Sequence, residues 1–170
     1  MRSPGKMLLA VLLLAAPMMA CAGAMRISSP DFSEGGMIPA KFTCKGDNVS
    51  PGLEISGVPP AAKTLALVVE DPDAPSGTFT HWIVWNIAPG TKEVAGGSPP
   101  AGAAEGTNDF GNAGYSGPCP PSGTHRYYFR LSALDIAPHL KAGASRKDFD
   151  AAIQGHVIAR AALMGRFSKD

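Results

Sequence analysis

A chain of 170 residues with 45% hydrophobic content can bury one hydrophobic core but not comfortably two, so we expect a single domain. Its 20 glycines and 16 prolines follow no repeating period, and with only 17% charged residues they favour a loop-rich β protein over a helical bundle. The formal net charge of +1, without any basic run, argues against a nucleic acid as partner.

Residues 1–24 have the pattern of a secretory signal peptide. Arg2 and Lys6 precede the apolar run MLLAVLLLAA, and the small-residue stretch ACAGA follows it. The apolar run is about half of the roughly 20 residues that a membrane-spanning helix needs, and no later segment is long enough either. We therefore expect an exported protein, periplasmic or secreted, with no transmembrane segment in the mature chain.

The start of the mature chain has three readings. Cleavage after Ala24 fits the small-residue rule through Ala22, and it leaves a single domain over residues 25–170. Cleavage before Cys21 would instead make this cysteine the acylated first residue of a lipoprotein and anchor the protein to lipid. A second translation start at Met25 would give a cytoplasmic form. In the favoured first reading the mature chain carries 13 basic and 14 acidic residues.

Short strand candidates follow one another between turn residues along the mature chain. They are MRISS, KFTC, LEIS, TLALVVE, HWIVWNI and HRYYFRLSALD. TLALVVE and HWIVWNI are apolar almost without alternation, which indicates strands covered on both faces. HRYYFRLSALD alternates, so we expect one of its faces to be wetter. Together these runs predict a mainly β, antiparallel fold.

The segment from Gly90 to Gly123 is too rich in glycine and proline to hold a helix or a central strand. A loop of this length in a compact domain is normally either disordered or functional. Because it carries Phe110, Tyr115 and Cys119, it does not have the polar, aromatic-poor composition of a disordered tract. We predict an ordered wall that covers another part of the molecule.

The C-terminal region should contain one helix and a final strand. In SRKDFDAAIQG, Ser145 can cap the first free amides and Gly155 can end the helix. We read the following HVIARAALMGRF as a strand, with a second helix as the alternative.

Cys44 and Cys119 form the one possible cysteine pair once Cys21 is assigned to the signal region. Export would permit a disulfide between them, and the alternative is two unconnected thiols.

Chemically versatile side chains occur where predicted strands end or begin. Asp71 and Asp73 follow one strand, His81 begins the next, and His125 with Tyr127 begins the late strand. If the strands that begin at His81 and His125 run in the same direction within one sheet, these side chains meet at one rim.

Each of these residues also has a purely structural reading. Asp73 can cap its own turn, a histidine at a strand edge is usually structural, and Tyr127 can belong to the core. Glu70 is expected to be only the last residue of its strand.

Two stretches of the sequence resemble a known family. DPDAP with HW shortly after it, and later GPCPPSGTHRYYF, are similar to the signatures of the phosphatidylethanolamine-binding proteins, the family of Raf kinase inhibitor protein and of plant flowering regulators. SPGLEISGVP and GHVIARAALMGRF are similar to its short bacterial, Raf kinase inhibitor-like branch. The resemblance covers nearly all of residues 25–167. A shorter link between DPDAP and HW, and the lack of an extended C-terminal segment, distinguish the chain from animal members.

The resemblance implies two antiparallel sheets with one or two peripheral helices, and a small cavity for phosphate-type anions such as phospholipid head groups. It brings no obligatory metal or other cofactor, and the kinase regulation of the animal branch does not transfer safely. The ligand-binding residues that the motifs imply are Asp71, Asp73, His81, His125 and Tyr127, with Gly117 and Pro118 at the rim.

An anion site that contains two carboxylates needs a physical explanation. We expect the aspartates to accept hydrogen bonds from the histidines and to raise their pKa, so that the imidazoles present N–H donors to the ligand. A carboxylate could instead meet the ammonium group of ethanolamine.

Binding without turnover is the leading functional prediction, because no serine lies in a recognisable nucleophile motif. The alternatives are a hydrolase with a His/Asp pair, a zinc or manganese site, and an inhibitor or docking protein for a protease or kinase.

Overall fold

The computed structural model describes residues 23–169. The predicted signal peptide lies outside the described residues except for its last two positions, and so does Cys21, the candidate for acylation. Among the described residues, no helix is long and apolar enough to cross a membrane.

Residues 23–169 fold into eight strands, one α-helix and a short 3-10 helix at Ala40–Phe42. The strands are β1 (Arg26–Ser28), β2 (Leu53–Ser56), β3 (Thr64–Asp71), β4 (Phe79–Ile87), β5 (Glu93–Val94), β6 (Ala104–Glu105), β7 (Thr124–Leu134) and β8 (Val157–Ser168), and the helix is α1 (Arg146–Ile153).

The strands form two antiparallel sheets, as predicted. The small sheet has the order β1-β2-β5, and the large sheet has the order β6-β4-β3-β7-β8. All eight residues of β3 are buried, and β4 is buried along most of its length, which confirms that both strands are covered on two faces. β7 alternates buried and exposed residues, also as predicted.

Two hydrophobic clusters lie on opposite faces of the large sheet. One cluster fills the space between the sheets and contains Trp82 and Phe129 together with Ile55 of the small sheet. The other contains Trp85 and packs against Phe149 of α1. The apolar residues of β4 therefore serve two cores, because successive side chains of a strand point to opposite faces.

The predicted helix and final strand are confirmed. The Ser145 side chain accepts a hydrogen bond from the Asp148 amide at the start of α1, and Gly155 has a left-handed φ of 81° just after its end. HVIARAALMGRF forms β8 along the edge of the large sheet.

The predicted strand KFTC is wrong. Its residues instead contribute to the 3-10 helix and the turn that follows it. The Thr43 amide and hydroxyl both donate to the Ala40 carbonyl, at 3.0 and 2.9 Å, so the chain satisfies its polar groups locally rather than in a sheet. Phe42 is buried by this turn.

The order of the large sheet brings the starts of β4 and β7 together. Both strands pair with β3 in antiparallel fashion, so they run in the same direction and begin where β3 ends. Val69 pairs with Trp82 but Glu70 pairs with Thr80, which leaves His81 as the extra residue of a bulge. The predicted convergence of these strand ends is therefore present.

Candidate functional site

Asp71 and His125 form a buried pair at this end of the large sheet. The His125 Nδ1 lies 2.7 Å from the Asp71 Oδ2, and both side chains are nearly inaccessible to solvent. An ionised carboxylate can only accept a hydrogen bond, so the His125 proton is on Nδ1. In the neutral ring, Nε2 then has no hydrogen to donate.

His81 is held by a backbone carbonyl rather than by a carboxylate. Its Nδ1 donates to the Ser116 oxygen at 2.6 Å, because a carbonyl oxygen cannot donate. Burial lowers the pKa of His81 below its usual value, and this effect outweighs the Ser116 bond and the charge of Asp71. Asp71 acts in the expected direction, but burial outweighs it, so the net shift of the His81 pKa is opposite to the one expected from sequence.

The two histidines share one property that decides how they can bind. In each ring Nδ1 already donates to a protein oxygen. Either ring can offer an N–H group to a ligand only after Nε2 is protonated. Because burial lowers the pKa of His81, an anion that binds through this ring brings a proton with it or takes one from solvent.

Tyr127 packs between these groups and the core. Its ring is fully buried and makes an edge contact with His81, with a centroid separation of 5.3 Å. Burial raises the pKa of the Tyr127 hydroxyl, and the Asp71 charge raises it further. Although the hydroxyl lies in the field of that carboxylate, it makes no hydrogen bond of normal geometry with any of residues 23–169.

Asp73 is directed toward Arg126. The Arg126 Nε and Nη2 donate to its two carboxylate oxygens at 2.9 and 2.6 Å, and the Arg126 amide adds a third bond at 2.9 Å. This hydrogen bonding lowers the pKa of Asp73 to about 2. The Asp73 amide donates to Asp71 Oδ1 at 2.8 Å, which stabilises the turn of DPDAP. Asp73 thus orients no histidine, in contrast to the expectation from sequence.

The Gly117–Pro118 corner is fixed against the turn that follows the 3-10 helix. The Gly117 amide donates to the Asn48 Oδ1 at 2.7 Å, and the Pro118 carbonyl accepts from the Cys44 amide at 3.1 Å. A disulfide joins Cys44 and Cys119, which confirms the predicted pair. The Gly117–Pro118 corner therefore fixes the position of the loop but does not itself line the cavity.

A cavity of about 270 Å³ opens beside these residues. Asp71 and His81 supply polar groups to its lining, and Phe79 and Phe110 supply aromatic rings. The rings of Phe79 and Phe110 meet edge to face, with centroids 4.7 Å apart. His125 and Tyr127 lie behind this lining and reach it through Asp71 and His81.

The long glycine- and proline-rich segment is the ordered wall that the sequence predicts. Phe110 and Cys119 line the cavity, and the Tyr115 hydroxyl donates to the Phe42 carbonyl at 2.8 Å. Tyr115 also packs edge to face on Trp82. This loop closes one side of the cavity, where it supplies both apolar surface and the Ser116 carbonyl that orients His81.

Comparison with known proteins agrees with the fold. A family model described as phosphatidylethanolamine-binding protein (PEBP) matches residues 28–168. The chain belongs to this family. It is 46% identical over 150 residues to a UPF0098 protein of Methanothermobacter thermautotrophicus, a match that covers 85% of this chain and 99% of the relative.

Two solved structures of PEBP relatives superpose closely on this chain. One is a PEBP homologue from Chlamydia trachomatis, with 43% identity and a TM-score of 0.83, covering 86% of this chain and 99% of its own. The other is Escherichia coli YbcL, described as a new member of the mammalian PEBP family. It has 30% identity and a TM-score of 0.81, and the match covers 87% of this chain and all of YbcL.

Within this PEBP fold, the sequence-predicted residues divide into three groups. Asp71 and His81 line the cavity, whereas His125 and Tyr127 stand directly behind it. Asp73 lies outside the lining of this cavity. Gly117 and Pro118 are likewise outside it, although Gly117 borders a neighbouring depression of about 200 Å³.

Sequence reasoning missed several residues that shape the site. Phe79 is the first residue of the strand that carries His81, and that position is the one signal that could have indicated it. Arg126, the partner of Asp73, follows His125 directly, and the alternation of β7 already assigns it to the wetter face. The Ser116 carbonyl has no sequence signal, because any residue supplies a carbonyl.

The arrangement gives no direct support to the hydrolase alternative or to the metal-site alternative. In the described part of the chain neither His81 nor His125 hydrogen-bonds a hydroxyl group, as a His/Asp-activated nucleophile would require. Across residues 23–169, no three histidine, cysteine, aspartate or glutamate side chains are grouped so that they could hold a metal ion.

Proposed function

We propose that this PEBP-family protein is an exported binding protein whose cavity takes a phosphate-type anion, such as the head group of a phospholipid, without turning it over. The observation that carries the proposal is the state of its two histidines. His81 lines the cavity and has Nδ1 committed to the Ser116 carbonyl, so Nε2 is the nitrogen left for a ligand and donates once it is protonated. His125 stands behind it with Nδ1 committed to Asp71.

Asp71 is compatible with a bound anion because its carboxylate oxygens are already hydrogen-bonded to donors of the protein. Asp71 accepts from His125 Nδ1 and from the Asp73 amide, so both its oxygens have donors. Protonation of either histidine offsets the negative charge, and a phosphate monoanion can supply that proton itself. The Tyr127 hydroxyl is unused as a donor within residues 23–169, but it is buried behind the lining, so Tyr127 supports His81 by packing against its ring.

The size and lining of the cavity suit a head group. Its 270 Å³ is just below the range of about 300–1,000 Å³ that holds drug-sized ligands, so it favours a small polar group. The rings of Phe79 and Phe110 offer a surface for an ammonium group, which aromatic faces attract. Ethanolamine linked to phosphate therefore matches both parts of the cavity.

The disulfide supports the export part of the proposal. Structural disulfides persist mainly in oxidising compartments such as the periplasm or the extracellular space. The bond between Cys44 and Cys119 lies beside the cavity and holds the Gly117 corner in place.

Isothermal titration with phosphoethanolamine at pH 6 tests the proposal. We expect one-to-one binding, competition by inorganic phosphate, and little heat with ethanolamine alone. The ligand should be recovered intact after prolonged incubation. Release of inorganic phosphate would favour the hydrolase alternative, and a lack of binding by either phosphate compound would contradict the proposal.

A further inference from the structure

Glu70 and Asp71 are neighbours at the end of β3, but their side chains face opposite sides of the large sheet. Asp71 points to the cavity and to His125. Glu70 bonds to Arg130 of β7 and, at 2.9 Å, to Arg146 of α1. The sequence predicts no role for Glu70 beyond ending its strand, yet Glu70 is buried and makes two ion pairs.

A second cavity of about 360 Å³ lies on this other side, between α1 and the strands β7 and β8. Val68 and Phe149 are buried apolar residues of its lining, and Ile153 extends the apolar surface along α1. We call this cavity the arginine groove because Arg130, Arg146 and Arg160 all line it.

The charges around the arginine groove do not cancel. Three guanidinium groups stand against two carboxylates, those of Glu70 and Asp150, which leaves an excess of one positive charge. Arg146 is shared between Glu70 and Asp150, whereas Arg160 forms no ion pair with any of residues 23–169.

Many donors of these arginines are unused. Each guanidinium carries five N–H donors. Arg130 uses only Nε, and Arg146 uses Nε and Nη1, in bonds within the described part of the chain. Arg160 uses none there. Because Glu70 holds the first two side chains in place, less side-chain entropy is lost when they bind a ligand.

Anchoring of α1 to the sheet would explain only part of this arrangement. The bond between Glu70 and Arg146 serves that purpose by itself. It requires neither the third arginine nor an open apolar cavity beneath the guanidinium groups.

We infer that the arginine groove is a second binding site, for a small organic anion in which a carboxylate or phosphate is attached to an apolar body. The anionic head would meet the guanidinium groups, which bind both kinds of oxyanion through paired N–H donors. The apolar body would cover Val68 and Phe149. The groove is independent of the cavity at His81, because the two lie on opposite faces of β3.

Titration with octanoate tests this inference, with octyl phosphate as a second arm that distinguishes the head group. Arg160→Gln removes a charge that has no partner within the described residues, so it should leave the fold intact. We expect it to weaken octanoate binding about tenfold, the usual effect of losing a hydrogen bond to a charged group. Lys63→Gln is the matched control, since it removes one exposed charge outside the groove and should leave affinity unchanged.

Three outcomes would overturn the inference. The first is equal octanoate and octyl phosphate affinity in Arg160→Gln and in the unmodified protein. The second is acetate binding as tightly as octanoate, which would show that the apolar surface plays no part. The third is displacement of octanoate by phosphoethanolamine together with a loss of octanoate binding in His81→Gln, which would place the probe in the other cavity.

Discussion

The substitution His81→Gln should reduce by one the number of protons that the protein takes up when it binds phosphate. In the free protein His81 is neutral at pH 7, because burial lowers its pKa below the usual value of 6.5. Its Nε2 can then donate to a phosphate only if one proton is added to the site. A glutamine amide needs no proton to donate.

The magnitude follows from counting protons. A phosphomonoester is mainly a dianion above a pH of about 6, so the complex then holds one more proton than its separated partners. Affinity should fall about tenfold, or 1.36 kcal/mol, for each unit of pH above that point, which is about 100-fold between pH 6 and pH 8. Below about pH 6 the ligand carries the proton itself, and the curve should flatten.

Calorimetry of phosphoethanolamine binding measures this linkage directly. Titrations at pH 7.5 in two buffers of different ionisation enthalpy should show uptake of one proton through His81, and His81→Gln should take up one proton fewer. His156→Gln is the matched control, because the Nδ1 of His156 likewise donates to a protein oxygen, that of Asp135, but its side chain is far more exposed and lies outside the cavity. Equal proton uptake in His81→Gln and in the unmodified protein would refute the reasoning.

The pH dependence of stability is an independent test of the lowered pKa of His81. A group whose pKa is lower in the folded state takes up its proton first in the unfolded chain, so the free energy of unfolding declines as pH drops below about 6.5. Urea unfolding at pH 7.5 and 5.5 should show this decline in the unmodified protein and a smaller one in His81→Gln.

Three further predictions concern the frame of the site. Gly117→Ala should destabilise the fold by about 1–3 kcal/mol in urea unfolding, because its Cβ would overlap the Phe42 carbonyl oxygen, and unchanged stability would contradict this close contact. Replacing both Cys44 and Cys119 by alanine should lower the free energy of unfolding by about 4 kcal/mol, because the disulfide closes a loop of 75 residues. A change near zero in the same assay would argue against the disulfide. Asp73→Asn should make the melting temperature fall less steeply between about pH 4 and pH 2. In the unmodified protein the stabilisation by ionised Asp73 is fully present above about pH 4 and is lost as pH falls through the Asp73 pKa of about 2.

The sequence predicts most of the strands, the helix and the loop wall, because each of these is indicated by residues close together in the chain. Continuous apolar runs predict β3 and β4, and a serine cap with a glycine stop predicts α1. The direction of β4 relative to β7 follows once both are placed beside β3. Aromatic residues within the Gly/Pro-rich loop indicate an ordered wall, and Phe110 does line the cavity.

The predictions that are wrong involve partners distant in the chain. His81 meets the Ser116 carbonyl across 35 residues, and this contact together with burial sets its tautomer and pKa. Asp73 meets Arg126 across 53 residues, so a carboxylate expected to orient a histidine binds a guanidinium instead. The alternation of a strand places Glu70 and Asp71 on opposite faces of the sheet, but it gives no indication that Glu70 meets Arg130 and Arg146, which lie 60 and 76 residues away.

A crystal structure of the protein with phosphoethanolamine at about pH 6 tests the central claim most directly. The account predicts a phosphate group in the cavity of 270 Å³, within hydrogen-bonding distance of the His81 Nε2, with Asp71 still accepting from His125. A phosphate bound only elsewhere, or an ordered cavity without ligand at saturating concentration, would contradict it.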